Sequence, residues 1–332
     1  MNASRNLAGA LAAVAFATLL GHGAALAQDY PTKPVRILVG FAAGGGADAI
    51  ARTIASRLAE QLGQNVIVEN RPGASSTVAG DALAKAAPDG YTLMLADSSL
   101  LIAAKAMQKV SFDPLKSFDP VSSVAIAPLT IAVNPSTPIR SLEDMAEIAR
   151  SGKDLVYGTS GVGTVHHLAV EYLQAQANIR MVHLPYRGAS QILPDLIGGQ
   201  IPIAVVSAAA ALAQEKGGKI RVIGLTSPHK LRDAPHWRPI ADWLPGFDAS
   251  PRLFLLAPAG TPQAVVRRID AETRKALADP AVIETLTKQG VVPAAGSSEA
   301  LARDLRVEVE RWEGLIRAAW GPGAFVRRAR IA

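Results

Sequence analysis

The sequence predicts an α/β protein of two lobes around a shared cleft, and three observations lead there. Residues 30–63 read as a short apolar strand, a loop of three glycines and an amphipathic helix. The same order of strand, glycine loop and helix returns at 155–176, about one domain further along. Strand-like runs and helical stripes also alternate along the rest of the chain, the pattern of largely parallel sheets covered by helices.

In the first unit, Val35, Ile37, Leu38 and Val39 form a β-branched run bounded by Pro34 and Gly40. From Ala47 the period changes, and Ile50, Ile54, Leu58 and Leu62 recur every four residues as one helical face. Gly44, Gly45 and Gly46 join the two and let backbone amides approach a ligand, while the helix start presents unpaired N–H groups. That geometry suits an anion such as a carboxylate. A side chain at Gly45 is expected to block the approach and to strain a positive φ. In the second unit, 155–157 is the strand and 158–164 a loop of glycines and hydroxyls, and a helix over 165–176 carries His166 and His167 in its first turn. Further strands are expected over 66–68, 92–95, 131–133, 156–158, 203–206 and 222–225. Further helices are expected over 141–150, 262–278, 280–289 and 298–319.

The first 27 residues read as a cleavable secretory signal. Arg5 precedes an apolar segment over 7–20, and Ala25-Leu26-Ala27 supplies the small-residue cleavage pattern. The segment is shorter than the roughly 20 residues a membrane span needs. With no cysteine, neither a disulfide nor a lipid-modified thiol is available, and a periplasmic location is the simplest expectation. Loss of residues 1–27 removes one basic residue, Arg5, from 34 and no acidic one, leaving 33 basic against 28 acidic side chains. That mild excess favours anionic solutes. Nucleic-acid binding is not indicated, because only 5% of residues are aromatic and no basic run is interleaved with them. Arg327, Arg328 and Arg330 read as a solvated terminus.

No catalytic pattern is present. Gly158-Thr159-Ser160-Gly161 closes too early for a nucleophile elbow, and Gly161-Val162-Gly163 lacks the third glycine of a dinucleotide fingerprint. His166 and His167 are adjacent on a helix, hence about 100° apart, and do not converge on a metal. No cofactor and no enzymatic activity are expected.

Eight ordered blocks carry a more specific resemblance. They are 30–46 with Asp48 (YPTKPVRILVGFAAGGGAD), 68–73 (VENRPG), 87–93 (APDGYTL), 112–121 (FDPLKSFDPV), 161–169 (GVGTVHHLA), 184–188 (LPYRG), 195–200 (DLIGGQ) and 256–262 (LAPAGTP). Through these the mature chain resembles, almost end to end, the substrate-binding proteins of tripartite tricarboxylate transporters, the Bug receptor family. The resemblance implies a type II periplasmic binding protein that works as a monomer. It would enclose a small organic acid between its lobes and deliver it to membrane transporter subunits. A receptor presenting its ligand to a membrane sensor kinase, or a periplasmic enzyme acting on a carboxylic acid, are the alternatives. Lobe 1 is expected to comprise 28–129 and 251–332, and lobe 2 to comprise 130–250.

The resemblance places Phe41, Ala42, Gly44, Gly45 and Asp48 of the first loop at the ligand, with Phe41 covering it or filling the core. Asp48 is expected to cap the first helical turn, and in a carboxylate receptor it would also select a ligand with an amino or hydroxyl donor. The second loop contributes Ser160, Gly161, Thr164 and His167, its hydroxyls bonding a ligand oxygen or capping the helix. The family pattern carries its histidine at 167, so His166 is expected on the surface. Tyr186 and Arg187 border the cleft, and Ser98 and Ser207 lie at C-terminal strand ends, where ligands gather in open α/β sheets.

The chain departs from the family pattern at Ala43, Ser75-Ser76, Pro202, Arg187 and Arg252. Arg252 stands where many relatives carry tryptophan. It is either a solvated rim residue or, facing the cleft, a partner for a second ligand carboxylate.

Overall fold

The structure, a computed structural model, describes residues 30–106, 110–186 and 189–320. The expected leader and Arg187 lie outside the described residues. The first part of the chain runs β1 (Val35–Val39), α1 (Gly46–Leu62), β2 (Val66–Asn70), α2 (Thr77–Ala84), β3 (Thr92–Asp97), α3 (Ser98–Ala106) and β4 (Phe118–Ile126). The middle part runs β5 (Leu129–Val133), α4 (Leu142–Arg150), β6 (Val156–Thr159), α5 (Val165–Ala177), β7 (Val182–Pro185), α6 (Ala189–Ile197), β8 (Ile203–Ser207), α7 (Ala208–Glu215) and β9 (Arg221–Leu225). The last part runs β10 (Arg252–Pro258), α8 (Gln263–Leu277), α9 (Pro280–Lys288), β11 (Val292–Gly296) and α10 (Ser298–Trp320).

These elements build two sheets. The six-stranded sheet has the order β11-β4-β10-β3-β1-β2, and the five-stranded sheet the order β7-β6-β8-β5-β9. β1 lies parallel between β2 and β3, with Ile37 opposite Val68 and Leu93. Flanked on both sides and covered by helices, it needs apolar side chains on both faces. Val35, Ile37 and Val39 pack with Ile50, Ile54 and Leu58 of α1, while Leu38 turns to the opposite layer with Leu83 of α2 and Met94. Each such side chain contributes about 1.5–3 kcal/mol by leaving water. α1 stops at Gly63, whose φ of 65° suits glycine at a helix C-terminus.

The chain crosses between the sheets twice, and the crossings are fastened to each other. The Ala127 amide donates to the Pro251 carbonyl at 3.0 Å. The final helix does not stay with one sheet. Leu301, Leu305 and Val309 of α10 pack in the first lobe, but Trp312 sits in the core of the second with Tyr157 and Leu173. Assigning all of 251–332 to lobe 1 is therefore too simple, because an apolar face of α10 is buried against both.

Candidate functional site

The first-loop backbone is set by Asp48. Its carboxylate accepts from the Gly44 amide at 2.9 Å, from Arg52 Nε at 3.0 Å and from Asn70 Nδ2 at 3.0 Å. Asn70 Nδ2 also donates to the Phe41 carbonyl at 3.1 Å, so one cluster clamps both ends of the loop. Burial would raise the Asp48 carboxyl, but the bonds from Arg52, Gly44 and Asn70, with the charge of Arg52, hold it below its usual value. Gly44 carries the positive φ, 79°, whereas Gly45 is extended at −82°. The strain expected at Gly45 thus belongs to Gly44. Gly45 is the N-cap of α1 and brings no side chain, so no side-chain hydrogen bond closes that helix start.

Three other helix starts near the site are closed by side chains. Thr164 Oγ1 accepts from the His167 amide at 3.3 Å and donates to the Gly161 carbonyl at 2.9 Å. Ser207 Oγ accepts from the Ala210 amide and caps α7. Asp97 precedes α3 and accepts from the Ser99 amide at 3.0 Å. Among these four helix starts, that of α1 alone lacks a side-chain cap.

The two lobes touch across the site. Ser75 Oγ donates to the Val162 carbonyl at 2.7 Å, and the Val165 amide donates to Ser99 Oγ at 3.1 Å. Between them lies a cleft with about 760 Å³ of empty space, its open mouth included. Phe41, Ala42, Gly45, Gly46 and Ile50 line it from α1 and its loop, with Ser160, His166, Ser207 and Ala208 from the second lobe. Asp97, Pro251, Leu253, Gln289 and Val291 complete much of the wall.

Of the residues singled out from the sequence, the structure brings Phe41, Ala42, Gly45, Ser160 and Ser207 together on this wall. It places the others elsewhere. Gly44 and Asp48 shape the loop from behind, and Gly161, with φ of 122°, makes the turn that Thr164 holds. Tyr186 is turned to Asp195, to which its hydroxyl donates at 2.7 Å. Ser98 is fully buried, its hydroxyl donating to Glu308 at 2.5 Å and accepting from the Arg252 amide at 3.1 Å. Arg252 Nε meets the buried Glu308 at 3.3 Å on the far side of the strand, so it does not face the cleft.

The histidine expectation is reversed. His167 is buried, its Nδ1 accepting from the Gly163 amide at 3.2 Å and its ring stacked on His183 at 4.0 Å. His166, one helical step round, lines the cleft instead. Burial pushes His166 down to about 4, against the opposing influence of the Val205 backbone, so the ring is neutral. Its Nδ1 is buried and takes no hydrogen bond, nor does Ser160 Oγ.

Sequence reasoning missed Asp97, His166 and Gln289. Asp97 is the last residue of β3, one position before the serine chosen by the strand-end rule. Burial pushes its carboxyl up to about 7, with the Ser99 and Leu100 bonds opposing.

A profile described as the tripartite tricarboxylate transporter family receptor matches residues 50–320. The protein BugT of Bordetella pertussis is 30% identical over 88% of this chain and 90% of its own. Two solved structures from Rhodopseudomonas palustris are also similar. Rpa4515 with adipate has a TM-score of 0.84 at 29% identity, covering 88% of this chain and 98% of its own. MatC with bound malate has a TM-score of 0.80 at 28% identity, covering 86% and 100%.

Proposed function

The chain belongs to the tripartite tricarboxylate transporter receptor family, the Bug receptors, and we propose that it is a periplasmic receptor for a small organic acid. One observation carries the reading. The α1 start has no side-chain cap and opens into a cleft that both lobes close, where an acid carboxylate would complete it. Ser160 Oγ, buried without a partner in the same wall, is a second donor for that carboxylate. The relatives described with adipate and malate support the same ligand class.

The 1–27 leader would direct export and be cleaved after Ala27, and the loaded monomer would hand its acid to the membrane subunits of a tripartite transporter. In this reading Phe41, Ala42, Gly45, Ser160 and Ser207 contact the ligand, while Asp48, Gly161 and Thr164 hold the loops that do so. The ligand leaves unchanged. A melting scan of the mature protein tests this, because an acid present at 100 times its dissociation constant stabilises the fold by about 2.7 kcal/mol. No shift with any mono-, di- or tricarboxylate would remove the reading.

A further inference from the structure

Both residues that flank Pro251 are tied to one buried carboxylate, that of Glu308 on α10. On one side the Arg252 amide donates to Ser98 Oγ at 3.1 Å, and Ser98 donates in turn to Glu308 Oε1 at 2.5 Å. On the other side Arg311 Nη2 donates to the Ser250 carbonyl at 3.4 Å and to Glu308 Oε1 at 3.3 Å. Arg311 Nη1 reaches Asp248 at 3.1 Å, and Trp312 Nε1 gives Glu308 a further bond at 2.8 Å. These bonds surround the crossing where the chain returns to the first lobe, and Pro251 itself lines the cleft. The other crossing is fastened to the same residue through the Ala127 amide.

Glu308 also sits where α10 passes from one lobe to the other. Val309 packs in the first lobe, and Trp312, one turn after Glu308, in the second. Lobes rotate through torsion at their crossings, which moves the carbonyl before Pro251 against the amide after it. A charged acceptor that holds both ends resists this movement, because charge-assisted bonds are the stronger kind. We propose that Glu308 is a hinge-positioning residue, whose bonds to Ser98, Arg311 and Trp312 hold the lobes where Ser75 meets Val162. Ser98 thus acts from behind the cleft wall that Asp97, its neighbour, helps to form. Affinity scales with the fraction of receptor already closed, so the brace acts on every acid by one factor. The half-exposed Arg252 side chain, screened by water, adds little. The effect on affinity rests on the organic-acid reading above, whereas the effect on the lobes does not.

Two variants of the mature protein test this. Glu308→Gln keeps the shape and loses the charge, while Ser98→Ala removes one hydroxyl and guards against a variant that fails to fold. The chain has no cysteine, so Ser56→Cys and Lys153→Cys, at exposed positions on opposite lobes, carry a single pair of spin labels. Without ligand, both variants should shift the label separation away from the parent's, towards an open form. Calorimetry with malate, succinate and adipate should show every affinity lowered by about three- to tenfold, with the ratios among the acids kept. A residue that only supports the fold would lower the melting temperature and move neither the separation nor the affinities. Separations and affinities equal to the parent's in both variants would overturn the inference, and so would a loss that differs from acid to acid. Shifted separations in proteins that bind none of the acids would uphold the hinge role and overturn the receptor reading.

Discussion

Gly46 and Ser207 meet across the cleft: a Cβ on Gly46 would lie 2.9 Å from the Ser207 hydroxyl and 3.1 Å from its Cβ. Gly46 opens α1 on one lobe and Ser207 caps α7 on the other, so the absence of a side chain at 46 sets how far the lobes close. Gly46 does not have a positive φ, so a substitution there probes closure and not backbone strain.

Gly46→Val should weaken acid binding by about tenfold to a hundredfold, because overpacking of a closed contact costs about 1–3 kcal/mol. Thermal stability without ligand should change little. Titration calorimetry beside small-angle scattering reads both, and a variant that closes and binds like the parent would show that this contact does not limit closure.

Asp48 has a depressed carboxyl, so its contribution is present above the ordinary carboxylate range and lost as pH falls through the lowered value. Asp48→Asn should destabilise the fold by about 1–3 kcal/mol at pH 7, and the gap to the parent should close in acid. Urea melts at pH 7 and pH 3 give the comparison. A gap that persists unchanged at pH 3 would mean that the charge is not the cause.

Asp97 has the opposite sign. Its carboxyl, raised to about 7, is disfavoured in its ionised form, so folding stability declines between the ordinary carboxylate value and about pH 7. In the proposed reading the site also receives an anion, which ionised Asp97 would repel. His166, at about 4, stays neutral across this range. Acid affinity should therefore fall as pH rises from 6 to 8, and Asp97→Asn should flatten that profile. A parent affinity independent of pH over this range would refute the placement of the charge.

Arg252→Gln should leave the affinity for mono- and diacids alike unchanged. The half-exposed guanidinium pairs with Glu308, which also accepts from Arg311 and Trp312, so stability should drop by less than about 1 kcal/mol. A selective loss of diacid affinity would return Arg252 to the cleft.

Much of this architecture is legible in the chain because period and burial agree. The β1 run and the Ile50, Ile54, Leu58 stripe each face one layer, and Ser141 announces α4 by capping Asp144. α3 went unseen because Leu100, Leu101 and Ile102 are all buried, which erases the stripe. The alanines of α7 carry little moment, and β11 is an edge strand holding Pro293 with an irregular register. In the site, the glycine loops are visible because backbone geometry demands them. Which of two adjacent histidines faces the cleft depends on the phase of α5 against β6, and Gln289 arrives from more than a hundred residues away. Local pattern holds neither fact.

Titrating the mature protein, residues 28–332, with malate and adipate, and then recovering the acid for NMR, tests the central claim most directly. The expected result is one site per chain for at least one of them and an acid recovered unchanged. Heat from neither acid, or recovery of a different compound, would contradict an organic-acid receptor that closes over its ligand at the α1 start.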